Sequence, residues 1–97
     1  MERYEAQSIG DVLRTLLEET SLQERMDELK AAHLWPAVVG TPIARLCKPA
    51  TVKKGVMTVG VANASLRQEL HMSRSRLRQL INEAIGKETI LEIKFTS

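Results

Sequence analysis

The sequence predicts an α+β domain, and three observations carry that prediction. Apolar residues recur at helical spacing in its first third and again over residues 65–86, and strand-like alternation appears at residues 56–61 and 89–95. A Lys54-Gly55 pair sits where two short strands would turn, and the predicted order is α-α-β-β-α-β. That order makes a small three-stranded sheet packed against helices, the way a short chain closes one core.

Ser8, with Asp11 three residues on, is a suitable N-cap. Ile9, Val12, Leu13, Leu16 and Leu17 then follow the i, i+3, i+4, i+7, i+8 pattern of a buried helix face. The helix is expected to stop near Glu19 or Thr20, where Ser21-Leu22-Gln23-Glu24 has the form of a capping box opening a second one. In that second helix Leu22, Met26 and Leu29 share one face, while Leu34, Trp35 and Val38 fall roughly opposite. Pro36 predicts a kink or break there, and Gly40 a left-handed cap.

Thr41-Pro42 starts a short turn of helix that Pro49 cannot continue. Ala50 to Lys53 and Val56 to Val61 read as strands, with Met57, Val59 and Val61 on the apolar face of the second. Residues 65–86 read as one continuous helix capped by Gly86. At about 100° per residue its apolar seam, Leu66, Leu70, Leu77, Leu80, Ile81 and Ala84, spans roughly 100°. Thr89 to Phe95 completes the sheet, with Leu91, Ile93 and Phe95 inward. Residues 1–97 are expected to form one domain, with its core over about 8–95 and no C-terminal tail.

Composition narrows the function classes. The 97 residues are 43% hydrophobic and 27% charged, which suits a small globular chain with an aliphatic core. One cysteine, Cys47, excludes an intramolecular disulfide and fits a reducing cytoplasm. Neither a membrane-length apolar run nor an apolar signal core is present, so a cytoplasmic location is expected. No metal-binding spacing connects Cys47 with His33 and His71, and no phosphate-loop or dinucleotide pattern occurs. No catalytic set, cofactor, metal or small-molecule substrate is therefore expected.

The net charge of +2 hides an asymmetry. Residues 1–48 hold six basic and eight acidic side chains, and residues 49–97 hold eight and four, so the halves carry −2 and +4. On a single helix Arg67, Arg74 and Arg78 line up at the edge of the seam, with His71 alongside and Arg76 on another side. With Lys53 and Lys54 of the hairpin, they are the candidate nucleic-acid-binding residues. Arginine forks grip phosphate oxygens without reading bases, so weak, salt-dependent binding of a nucleic-acid backbone is expected. Trp35 reads as a core anchor rather than a stacking platform, and Asn82 as a cap for a local backbone group. The arginine row also reads as a solvated face partly neutralised by Glu69 and Glu83, and the alternative function is a protein-interaction module without direct nucleic-acid contact, docking through the helix that carries Glu24, Asp27 and Glu28.

The predicted order is also that of the KH-like fold, although no two glycines stand three apart to form the G-x-x-G backbone clamp. Trp35-Pro36-Ala37-Val38-Val39-Gly40, Ile43-Ala44, Pro49 and Gly55 before Met57-Thr58-Val59 form an ordered set. Ser65-Leu66, Glu69-Leu70, Leu80-Ile81-Asn82 and Gly86 complete it, and the whole resembles the DciA-like family of bacterial proteins over about residues 8–95. The resemblance implies a KH-like domain and a non-enzymatic accessory to the replicative helicase in DNA replication, with single-stranded or forked DNA as the expected nucleic acid.

Overall fold

The computed structural model describes the backbone of residues 2–97 and the side chains of residues 9–15 and 21–97. The order is α1 (Glu2–Val39), α2 (Thr41–Ala44), β1 (Thr51–Lys53), β2 (Val56–Gly60), α3 (Ala64–Met72), α4 (Arg74–Ile85) and β3 (Glu92–Thr96). The strands form one sheet in the order β1-β2-β3, with β1 antiparallel and β3 parallel to β2. A parallel pair cannot be joined by a hairpin, and α3 and α4 supply the crossover.

The two expected N-terminal helices are one. Ser8, Glu19, Thr20 and Ser21 all lie inside α1, so neither the N-cap nor the capping box is used. A cap residue ends a helix only where the chain also turns, and residues 19–24 contain neither glycine nor proline to turn it. Pro36 does not break the helix either. Its missing amide removes one intrahelical bond, and the ladder resumes with the Gly40 amide donating to the Pro36 carbonyl at 2.9 Å. Gly40 has the positive φ expected of it, but at ψ 151° it is extended rather than left-handed helical. Leu16 and Leu17, expected to face inward, lie outside the described side chains.

The hairpin is as expected. Lys54 and Gly55 both have positive φ, 51° and 80°, the two-residue turn whose twist matches antiparallel strands. A Cβ on Gly55 would stand 2.9 Å from the Leu91 side chain, so its bareness also lets the chain after α4 close over the turn. That closure corrects the last strand. Residues 89–91 are not strand, Leu91 donates its amide to the Gly55 carbonyl, and its side chain is exposed instead of inward.

The long helix of residues 65–86 is also corrected. It divides at Ser73, whose amide is shared between the Glu69 and Leu70 carbonyls, and α4 starts at once beyond it. Ser73 and Ser75 flank the start of α4, and serine competes for backbone hydrogen bonds in helix interiors. Asn63 caps α3 by accepting the Leu66 amide at 2.9 Å, and Gly86 caps α4 in the left-handed conformation.

Helices pack on one side of the sheet only. Met57, Val59, Val61 and Ile93 point into that side, where they meet Ala31 and Trp35 of α1, Leu70 of α3, Leu77 and Ile81 of α4, and Ile90. Trp35 is buried with its ring centroid 5.8 Å from that of Phe95, as a core anchor should be. The seam residues Leu66 and Leu80 are half-buried, whereas Ala84 is exposed.

Candidate nucleic-acid interface

The Ser73 break redistributes the arginines. Arg67 stands on α3, four residues before His71, and Arg74 and Arg78 stand four apart on α4. The constant phase assumed for one helix therefore holds only within each piece.

Each of the three arginines also has an acceptor in its own chain. Arg67 Nη1 donates to the Val61 carbonyl at 2.8 Å and to that of Ala62 at 3.5 Å, tying α3 to the end of the sheet. Arg74 Nη1 donates to the His71 carbonyl at 2.8 Å, closing the end of α3. Arg78 pairs with Glu88 at 3.2 Å. A guanidinium has five N–H donors, so one or two internal bonds leave donors for phosphate.

Lys53 and Lys54 are exposed at the hairpin, the opposite end of β2 from Val61, to which Arg67 is bound. Five residue steps along the chain separate Val56 from Val61, about 17 Å. The structure thus brings Arg74 and Arg78 together and holds Lys53 and Lys54 apart from Arg67. Lys54 shares a cleft with Lys87, but Glu24, Asp27, Glu28 and Glu88 line it too. Acidic groups therefore outnumber basic ones around Lys54.

The acidic stretch of α1, expected to serve protein docking, is largely occupied. Asp27 is buried, paired with Lys87, and accepts from Gln23 Nε2 at 3.1 Å. The Lys87 bond, opposed by desolvation and aided by Gln23 and Lys30, holds the Asp27 carboxyl below the usual carboxylate range. Glu28 accepts the Gly55 amide at 3.4 Å, which secures the hairpin against α1. Asn82 caps local backbone, as expected: its Oδ1 accepts the Thr89 and Ile90 amides and its Nδ2 donates to the Ile90 carbonyl.

Cys47 is half-buried, and burial raises its thiol pKa, the wrong direction for a nucleophile. Among the described residues no three His, Cys, Asp or Glu side chains converge as metal ligands, and no helix is long and apolar enough to cross a membrane.

Sequence reasoning missed the apolar surface of α1. Leu22, Met26 and Leu29 are all more than half exposed, and Met26 and Leu29 border a groove completed by Leu34 and by Ala84 and Ile85 of α4. The signal is their shared face, attributed in the sequence to the Pro36 switch.

Residues 8–95 match the sequence profile of the family described as "Dna[CI] antecedent, DciA". A UPF0232 protein of Mycobacterium bovis (strain BCG / Tokyo 172) and another of Mycobacterium tuberculosis (strain CDC 1551) are each 27% identical to this chain over 90 residues. The alignment covers 93% of this chain and 48% of each relative, so the chain spans about half the length of the curated relatives it matches.

Proposed function

The chain belongs to the DciA family, and we propose on that premise that it is a non-enzymatic replication accessory, acting in the cytoplasm on the replicative helicase and on DNA. The observation that carries the reading is the division of its exposed surface. An apolar stripe on α1, Leu22, Met26 and Leu29, borders the groove against α4 and suits a protein partner. Of the cations of the second half of the chain, Arg67, Arg74, Arg78 and Lys53 suit a phosphate backbone, and Lys54 contributes less because acidic groups outnumber basic ones in its cleft. Contacts of these cations with phosphate oxygens carry no base information, so the DNA contact is independent of sequence.

The test is fluorescence anisotropy of labelled single-stranded, duplex and forked DNA at two salt concentrations. The parent is compared with Arg74→Glu/Arg78→Glu, which spares the Arg67 tie to the sheet. Salt-sensitive binding by the parent, weakened in the variant, is the expected result. The second reading, a protein module without DNA contact, is favoured by the same apolar stripe. It takes over if the parent binds no DNA at low salt yet still retains the helicase on an affinity column.

A further inference from the structure

On the face of the sheet turned away from the helices, strand register defines what is displayed. Val52, Met57, Val59, Ile93 and Phe95 point to the core, so the residues alternating with them point out. Pairing sets Lys53, Val56 and Glu92 in one outward row, and Thr51, Thr58 and Lys94 in the next. Gly60 and Thr96 form a third row, and Lys48 joins it because its amide donates to the Gly60 carbonyl at 2.8 Å.

Gly60 explains where the Lys48 side chain lies. A Cβ there would stand 2.8 Å from Lys48 Cδ and 3.2 Å from Cγ, so the aliphatic stem rests directly on the bare glycine. The φ of Gly60 is not in the left-handed range, so close approach and not backbone conformation makes use of glycine here.

Lys48, Lys53 and Lys94 thus surround a patch of threonines whose rows hold one acidic side chain, Glu92, while at the β1 edge Thr51 and Lys53 also line a cleft with Glu24, Arg25 and Glu28 of α1. Neither ion pair among the described residues involves these lysines. Lys48 and Lys53 lie two rows apart on one edge, about 13 Å, and Lys94 faces the gap between them from the other edge.

We propose that this open face of the sheet is the platform on which a nucleic-acid backbone lies. The proposal rests on the DNA-binding reading above and moves its main contact from the arginine-bearing helices to the sheet. A protein partner fits the face poorly. Stable protein interfaces have an apolar core depleted in lysine, and Val56 is the one large apolar side chain among these rows. A phosphodiester chain needs only ammonium groups and hydroxyl donors, and Thr51 and Thr58 supply hydroxyls between the lysines. These rows hold no aromatic side chain for base stacking, so the contact ignores sequence and depends on salt.

The experiment measures binding of a labelled oligothymidylate across a salt series. It uses the parent, Lys48→Gln/Lys53→Gln/Lys94→Gln, the corresponding lysine-to-arginine triple, and Arg74→Gln/Arg78→Gln, each checked for folding by circular dichroism. Losing three backbone contacts should flatten the log–log salt slope by about 2, equivalent to about twentyfold less loss of affinity between about 50 and 200 mM salt. The arginine triple should keep the parent slope.

A parent that binds at low salt, with an unchanged slope in the glutamine triple, leaves the DNA reading standing and overturns the sheet assignment. A parent that binds no oligonucleotide at low salt overturns both. Lysine-dependent capture of polyglutamate without oligonucleotide binding assigns the face to an acidic protein segment and also overturns the proposal.

Discussion

Residues 9–15 and residues 21–39 belong to the same helix and carry comparable apolar spacing, yet their surroundings differ. In the second stretch Ala31 and Trp35 are buried against the sheet and Asp27 is held by Lys87. In the first, Ile9, Val12 and Leu13 are 66%, 55% and 57% exposed. The helix belongs to a molecule 66 Å long but only 24 × 19 Å across. Apolar periodicity therefore reports a face that could be covered, and only the three-dimensional arrangement shows whether anything in the same chain covers it.

The largest expected effect lies in the packed stretch. Trp35→Ala removes the biggest buried side chain, which spans α1 and Phe95 of β3, and should destabilise the domain by about 3–5 kcal/mol in urea unfolding. For a small domain that approaches the whole stability. A loss below about 1 kcal/mol would mean that the second stretch of α1 is not anchored as described, and the contrast would collapse.

Legibility in the sequence follows the same line. The inward set Met57, Val59 and Val61, the Lys54-Gly55 turn and the Gly86 cap were readable because each depends on neighbouring residues alone. Residues 19–22 and Ser73 were misread in opposite directions. Capping residues suggested an end that the chain did not make, and an unbroken heptad-like phase hid one that it did. Alternation points Leu91 inward, but its position is set by Gly55, thirty-six residues earlier. The candidate interface shows the same dependence. A row of arginines is visible along one predicted helix, whereas Lys53 and Lys94 come to share a face only through the register of β1, β2 and β3.

Asp27 sharpens the comparison through pH. Its folded pKa is depressed, chiefly by the Lys87 bond, so the stabilisation it gives is complete above the unfolded carboxylate value of about 4. It is lost as pH falls through the depressed folded value. Asp27→Asn should therefore unfold at lower urea than the parent at pH 7, and the gap should close in acid below about pH 4. Lys87→Met should reproduce that behaviour, since it removes the other member of the pair. A gap that stays constant from pH 7 to pH 3 would show that Asp27 matters through packing and not through its charge.

The smallest effect on stability belongs to the exposed stretch. Ile9→Ala/Val12→Ala/Leu13→Ala removes side chains that meet mostly water, and alanine is a better helix former than valine or isoleucine. The free domain should change by no more than about 0.5 kcal/mol per site in urea unfolding. A combined loss above about 3 kcal/mol, far beyond what exposed sites give, would show that these residues are covered in solution. Repeating the measurement across protein concentration then separates two kinds of cover. A loss that disappears on dilution places a second copy on the stripe, and a loss independent of concentration places another part of the same chain there. The expected neutrality instead leaves Ile9, Val12 and Leu13 open, and if the proposed helicase contact extends to them from Leu22, Met26 and Leu29, the same triple variant weakens retention of the helicase while folding normally.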